Sequence, residues 1–185
     1  MNTFKIRGIL TLFILFPALL LAQTFDNIDQ GIQFQTLGMT VRIEFYTPSI
    51  VRVHKTLQSE NFSNPTYVIH QPKQATKVAV EKKDGFIHLS SNQLTIKVNP
   101  KTGSIEFLKS NGSNLLLDKD YGTNFSNTLA GGKPFYKMRS EFLLEKDEAI
   151  YGLGQILDNK FNRRDSQHHL QNENMHTTSP YFMSI

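Results

Sequence analysis

The stretch Glu148-Ala149-Ile150-Tyr151-Gly152-Leu153-Gly154-Gln155 is the part of the chain from which the fold can be worked outward. Its apolar residues Ile150, Tyr151 and Leu153 suit a pleated, half-buried surface. Gly152 and Gly154 supply backbone freedom, or they allow another backbone to approach closely. The stretch therefore predicts a short apolar strand that runs into a turn containing two glycines.

A polar segment, residues 159–179, follows this strand. Its polar and charged residues include Asn162, Arg163, Arg164, Asp165, His168, His169, Gln171, Asn172, Glu173, Asn174 and His176. An apolar strand is predicted to resume at Pro180. A long polar loop held between two strands is how a rigid scaffold presents binding residues. A disordered surface loop is the alternative that composition alone leaves open.

The rest of the chain has the period-two alternation of β-strands. Val41, Ile43 and Phe45 fall on one face of residues 40–46, and polar residues stand between them. Residues 94–98 alternate strictly between apolar and polar side chains. Outside the first 22 residues, no window of ten residues has a helical repeat. The sequence therefore predicts strands throughout.

Turn signals separate the predicted strands. Asp84-Gly85 and Asn111-Gly112 have the composition of tight turns between paired strands. Residues 58–74, with two prolines, and residues 122–134, with Gly131-Gly132, are predicted to be irregular. Strands at this spacing predict an all-β sandwich or barrel.

The first 22 residues are predicted to be a secretory signal peptide. Lys5 and Arg7 form its positive region, residues 8–21 form its apolar region, and Ala22 offers a cleavage site before Gln23. An uncleaved membrane anchor is the alternative, but the apolar run is shorter than the roughly 20 residues of a spanning helix. We therefore expect a mature domain of residues 23–185, exported to the periplasm or the extracellular space, with no membrane contact after cleavage.

The mature domain carries little net charge and no cysteine. The full chain has 20 Lys and Arg against 16 Asp and Glu, and removal of residues 1–22 leaves 18 basic residues, a net charge of +2. No basic run is interleaved with aromatic residues, so nucleic acid is not an expected partner. Without cysteine there is no disulfide framework, and an exported chain must rely on its core and its hydrogen bonds.

Three motifs in order resemble the N-terminal region of glycoside hydrolase family 31, which contains α-glucosidases and α-xylosidases. They are residues 151–155 (Tyr-Gly-Leu-Gly-Gln), Asn162-Arg163-Arg164 within the polar segment, and residues 179–184 (Ser-Pro-Tyr-Phe-Met-Ser). The resemblance covers residues 23–185. It implies a galactose-mutarotase-like β-sandwich, which in the complete enzyme precedes a (β/α)₈ catalytic barrel.

The resemblance implies that the chemistry of the complete enzyme is done by the barrel. A retaining glycosidase needs two carboxylates about 5–5.5 Å apart, and in the family both are aspartates on barrel strands. A barrel takes about 250 residues, whereas only 163 of the 185 residues follow Ala22. We therefore expect a truncated sandwich, incomplete at its C-terminus, that resembles part of a retaining α-glycosidase and is inactive alone.

The resemblance also implies a role for the polar segment. In these enzymes the loop after the Tyr-Gly-Leu-Gly motif reaches over the barrel mouth and touches the sugar. The matching segment here is residues 171–174, and Asn172, Glu173 and Asn174 are the expected substrate-binding residues for an α-glucoside or α-xyloside. Amide and carboxylate groups offer fixed donors and acceptors to sugar hydroxyls. The family hydrolyses its substrates without a metal or an organic cofactor, so none is expected.

The polar segment also contains residue types that occur in metal sites and in nucleophile triads. His168, His169 and His176 lie within nine residues, beside Asp165 and Glu173. Adjacent histidines point apart in an extended chain and no zinc spacing is met, so a His-rich polar loop is the preferred interpretation. The chain has no Cys and no Gly-x-Ser-x-Gly motif, so a nucleophile triad is not indicated.

A stand-alone secreted carbohydrate-binding or adhesion sandwich without catalysis is the alternative function. A self-sufficient domain is expected to finish its last strand and to stop in polar residues. This sequence ends in the apolar run 180–185. An unfinished edge strand promotes aggregation, so the ending favours a truncated N-terminal module of an exported α-glycosidase.

Overall fold

The computed structural model describes residues 25–57, 62, 72–174 and 176–185, and every regular element in these ranges is a β-strand. The strands are β1 (Phe25–Ile28), β2 (Gly31–Thr36), β3 (Met39–Thr47), β4 (Ile50–Leu57), β5 (Ala79–Lys83), β6 (Phe86–Ser90), β7 (Leu94–Val98), β8 (Ile105–Lys109), β9 (Asn114–Ala130), β10 (Lys133–Leu143), β11 (Ile150–Gln155) and β12 (Thr177–Ser184). The predicted signal peptide and most of residues 58–74 lie outside the described residues. A search of the described residues finds no helix with the length and apolarity needed to cross a membrane.

The first sheet contains β1 to β4 in sequence order, with each strand antiparallel to the next. The three residues that the alternation of β3 predicts on one face, Val41, Ile43 and Phe45, are completely buried. Ile32 and Phe34 of the neighbouring β2 are buried beside them. The period-two pattern therefore correctly predicted which face of β3 packs into the core.

The second sheet has the order β10-β9-β8-β7-β6-β5, which is an antiparallel meander. The predicted turn Asp84-Gly85 joins β5 and β6, and both residues have positive φ, +52° and +81°. This is the backbone of a two-residue hairpin turn that matches the twist of the strands. The buried residues of β6 and β7 face the same core as those of β2 and β3. The two sheets therefore form a sandwich.

Two ionic contacts involve side chains that the sandwich buries. Lys55 Nζ on β4 lies 3.1 Å from Asp118 Oδ2 on β9, and so it joins the two sheets. Glu44 on β3 accepts hydrogen bonds from Lys73 Nζ at 2.7 Å and Arg42 Nη2 at 2.8 Å. Burial alone would raise the pKa of Glu44, but the hydrogen bonds from these two cations lower the pKa below its usual value.

Residues 122–134 form part of a long hairpin, which corrects the prediction of an irregular segment. Strands β9 and β10 pair from Lys133↔Ala130 to Leu143↔Leu117, and Gly131-Gly132 is the two-residue turn between them. The segment contains Gly122 as well as Gly131-Gly132, and glycine usually interrupts a strand, so the local pattern misled the prediction. Here Gly122 lies at an irregularity, with φ of +69° and its backbone against the Asp118 side chain, and the pairing resumes beyond it.

Strands β11 and β12 form a separate antiparallel pair. Gly152 and Gly154 have φ of +109° and +90°, and a Cβ at either position would overlap the backbone of β12. The close backbone approach predicted from the two glycines is therefore present. Strand β12 begins at Thr177, three residues before the predicted start at Pro180.

Candidate functional site

The polar segment connects β11 to β12, and it is called here the β11–β12 loop, residues 156–176. Two of its residues bind it to the edge of β11. Asn162 Oδ1 accepts the N–H groups of Ile150 and Arg164, both at 3.0 Å. The Arg163 N–H donates to the Ile150 carbonyl at 2.6 Å. Both backbone groups of Ile150 are thereby satisfied by the loop.

Arg164 fixes the loop to the turn that precedes β11. Its Nη1 donates to the carbonyls of Glu145 and Glu148, at 2.7 and 2.6 Å. The Glu148 carboxylate in turn accepts the Glu145 N–H at 2.8 Å. The side chains of Asn162 and Arg164 therefore bind backbone groups and hold the loop in place.

An ion pair closes the first part of the loop. Arg163 Nη1 lies 2.6 Å from both carboxylate oxygens of Asp158, and the Arg163 side chain is only 7% exposed. The hydrogen bond from Arg163 lowers the pKa of Asp158. The Arg163 Nε is buried and has no hydrogen-bond partner among the described residues. The pair keeps the Asp158 carboxylate ionised and hydrogen-bonded to Arg163.

Ser166, His168 and Asp158 lie next to one another in space, as serine, histidine and acid do in a nucleophile triad, but their hydrogen bonds differ from those of a triad. Ser166 Oγ lies 2.8 Å from His168 Nε2, and His168 Nδ1 lies 3.9 Å from Asp158 Oδ2. However, Ser166 Oγ donates to the Arg163 carbonyl at 2.5 Å, so His168 Nε2 must act as the donor towards it. A histidine that donates to the serine cannot remove its proton. The three side chains therefore tie the loop together.

The described residues contain no group of three or more His, Asp or Glu side chains that could hold a metal ion. His168 faces Ser166 and Asp158, whereas His169 is exposed. His176 is bonded to Glu173 through the backbone. The three histidines therefore do not converge.

The three residues expected to bind substrate lie together at the end of the loop, and all are exposed. Asn172 Oδ1 accepts the Thr178 N–H at 2.8 Å and the Thr178 hydroxyl at 3.1 Å. Glu173 and His176 exchange two backbone hydrogen bonds, of 3.1 and 3.2 Å, so Asn174 lies in a short turn. The side chains of Glu173 and Asn174 have no ion pair or hydrogen bond within the described part of the chain. The side chains of Glu173 and Asn174 are thus wholly uncommitted among the described residues, whereas the Asn172 oxygen is engaged.

A cavity of about 700 Å³ lies on the other part of the loop. Its lining is mainly apolar and includes Tyr151, Leu157, Phe161, Met183 and Ile185, together with the two glycine backbones of β11. The sequence analysis missed it, although Leu157 and Phe161 are unusual apolar residues in a polar segment. The lining offers few convergent polar groups, so it suits an apolar contact better than a sugar.

Comparison with known proteins identifies the family to which the chain belongs. Residues 40–183 match the model of the glycosyl hydrolase 31 N-terminal galactose mutarotase-like domain. Among solved structures, a GH31 α-xylosidase from Xanthomonas citri has a TM-score of 0.76 and 23% identity, over 85% of this chain and 18% of that one. A GH31 α-xylosidase from a soil metagenome, complexed with xylose, has a TM-score of 0.74 and 23% identity, over 87% of this chain and 26% of that one.

A third structure, a GH31 dextranase of Flavobacterium johnsoniae complexed with isomaltotriose, has a TM-score of 0.68 and 20% identity, over 87% of this chain and 21% of that one. These identities are low, so the solved structures show the fold, and the family model over residues 40–183 shows the family. The chain spans about a fifth to a quarter of the length of these enzymes. The all-β sandwich and the resemblance read from the three motifs are both confirmed. The chain belongs to the glycosyl hydrolase 31 N-terminal galactose mutarotase-like domain family.

Proposed function

We propose that this chain is the N-terminal sandwich of an exported α-glycosidase, that it shapes the carbohydrate site of the complete enzyme, and that it does not hydrolyse glycosides alone. The family match supports a module associated with glycosidases. The observation that carries the proposal is the fixed β11–β12 loop. It ends in a turn whose carboxylate and amide groups, on Glu173 and Asn174, are uncommitted in the described part of the chain.

The chemistry of this turn suits a sugar. An ionised carboxylate accepts hydrogen bonds from hydroxyls, and an amide both donates and accepts them. Because the loop is tied to β11 by Asn162 and Arg163, these groups are held before the ligand arrives. A preorganised polar group loses less conformational freedom on binding than a mobile one. An α-xyloside or an α-glucoside is the proposed ligand, bound together with a catalytic barrel.

The absence of catalysis by the chain alone is the first test. The purified mature domain, residues 23–185, is expected to hydrolyse aryl α-glucosides and α-xylosides no faster than the uncatalysed rate. The reason is that the acids of the loop are engaged or solvated: Asp158 is bound by Arg163, and Asp165 is exposed. Turnover that disappears in Glu173→Gln would show that this turn holds an active site and would overturn the proposal.

The role of the turn is tested in a complete enzyme that contains this domain. Loss of a hydrogen bond to a charged partner costs about 1.5–3 kcal/mol. Glu173→Ala is therefore expected to lower kcat/KM by roughly tenfold to a hundredfold, with an unchanged thermal melt. His169→Ala is the matched control, because His169 is an exposed residue of the same loop. Equal losses in both variants would contradict the assignment of Glu173.

Export is a separate part of the proposal, and it concerns residues outside the described ranges. The support is the sequence pattern of residues 1–22, with a positive region, an apolar region and Ala22 at its end. N-terminal sequencing of the exported protein is expected to begin at or near Gln23. Exported protein that retains Lys5 would contradict the signal peptide.

A further inference from the structure

Asn172 lies where the loop returns to β12. Its side-chain oxygen accepts two hydrogen bonds from one residue, the N–H of Thr178 at 2.8 Å and the hydroxyl of Thr178 at 3.1 Å. Thr178 is also the residue of β12 that pairs with Gly154 of β11. Asn172 therefore satisfies a backbone donor near the start of an exposed strand.

The amide oxygen of Asn172 has no remaining acceptor capacity. A carbonyl-type oxygen has two lone pairs, and both are directed to Thr178. A sugar hydroxyl could donate to this oxygen only if one of these bonds were broken. The Asn172 oxygen therefore holds the backbone and has no place for a hydroxyl hydrogen, and only its side-chain nitrogen has no described hydrogen bond.

A second pair of hydrogen bonds, both between backbone groups, closes the turn that follows Asn172. The Glu173 N–H donates to the His176 carbonyl at 3.1 Å, and the His176 N–H donates to the Glu173 carbonyl at 3.2 Å. The base of the 173–176 turn is therefore bonded twice, and Asn172 attaches it to Thr178. The exposed side chains of Glu173 and Asn174 extend from a turn whose base is fixed.

We infer that Asn172 is the positioning residue of the 173–176 turn. By capping Thr178 it fixes where the turn joins β12, and it leaves Glu173 and Asn174 as the groups that meet a hydroxylated ligand. The identity of the ligand rests on the proposed function. The positioning role rests only on the hydrogen bonds of Asn172 and of the turn, so the two can fail separately.

Amide hydrogen exchange of the 185-residue chain, followed by NMR, tests the positioning role. In Asn172→Ala the amides of Thr178 and His176 are expected to exchange about tenfold faster. Asn172→Asp keeps an acceptor at the same place and is expected to restore slow exchange. Asn174→Ala is the matched control, since it removes a neighbouring amide that has no described bond. Unchanged exchange in Asn172→Ala, or no rescue by Asn172→Asp, would overturn the inference.

Titration with methyl α-xyloside and methyl α-glucoside separates positioning from contact. Glu173→Ala is expected to abolish sugar-induced shifts without changing the exchange at Thr178. Asn172→Ala should weaken binding about tenfold, and Asn172→Asp should restore most of it. Binding lost equally in both Asn172 variants would mean that the amide touches the sugar, which overturns the inference. If no sugar shifts any wild-type amide while the exchange pattern is as expected, the turn does not bind these sugars without a barrel, and the positioning role stands.

Discussion

The ion pair between the two sheets gives the sharpest prediction about stability. Lys55 Nζ and Asp118 Oδ2 are 3.1 Å apart, and the two side chains are 7% and 6% exposed. The same Asp118 oxygen accepts the Ile105 N–H at 3.0 Å. Asp118→Asn keeps an acceptor for Ile105 but removes the negative charge, so the Lys55 ammonium is left buried without its counter-charge.

The expected cost follows from the burial of this pair. Removing one partner of a buried pair costs about 3–5 kcal/mol, because the other charge remains out of water. For a chain of this length each kcal/mol is worth about 2–4 °C in Tm. Asp118→Asn and Lys55→Met are therefore each expected to lower Tm by roughly 6–20 °C. The double variant leaves no buried charge at this place, and it is expected to be more stable than either single variant.

Thermal melts followed by circular dichroism measure the Tm shifts, and urea denaturation measures the free energies of unfolding, for the wild type, the two single variants and the double variant. The control is Glu106→Gln, which removes a partner of Lys97 on the sheet surface, where both side chains are partly exposed. Such a pair is worth about 0–1 kcal/mol. If the effects of Lys55→Met and Asp118→Asn were simply additive, or if Glu106→Gln cost as much as Asp118→Asn, the reasoning about buried charge would be refuted.

Three other outcomes are expected. Gly154→Ala should destabilise the β11–β12 pair, because φ is +90° and a Cβ would overlap the backbone of β12. Gly131→Ala is the control, since Gly131 also has positive φ but lies in open space. The urea midpoint should fall less in Gly131→Ala than in Gly154→Ala. The lowered pKa of Glu44 means that its contribution to stability is fully present above the unfolded carboxyl pKa, about 4, and is lost as pH falls through the folded pKa. Urea midpoints from about pH 6 to about pH 3 should therefore fall less steeply in Glu44→Gln than in the wild type, and equal slopes would contradict this. Arg163→Met removes the nitrogen that donates to both oxygens of Asp158, so the loop amides should exchange faster by NMR, and unchanged exchange would show that the ion pair does not hold the loop.

Features that depend on neighbouring residues could be predicted from the local pattern. The alternation of Val41, Ile43 and Phe45 determined the buried face of β3, because successive side chains in a strand point to opposite sides. Asp84-Gly85 determined the turn between β5 and β6, since both positions need positive φ. The two glycines of the Tyr-Gly-Leu-Gly motif indicated a close backbone approach, and their φ angles and the nearby backbone of β12 agree with it. The residues that bind substrate in the β11–β12 loop stay a prediction.

Features that depend on residues far apart in the chain could be seen only in the folded structure. The β9–β10 hairpin continues past Gly122 because pairing with β10 outweighs the local preference of glycine to end a strand. Lys55 and Asp118 are 63 residues apart, and nothing in either local pattern predicts that they meet. In the β11–β12 loop, the sequence showed which residues are polar, but the structure decided which polar groups are used internally. Asn162, Arg163 and Asn172 bind backbone groups because backbone donors and acceptors at the edges of β11 and β12 must find partners, and those partners are chosen by the path of the folded chain.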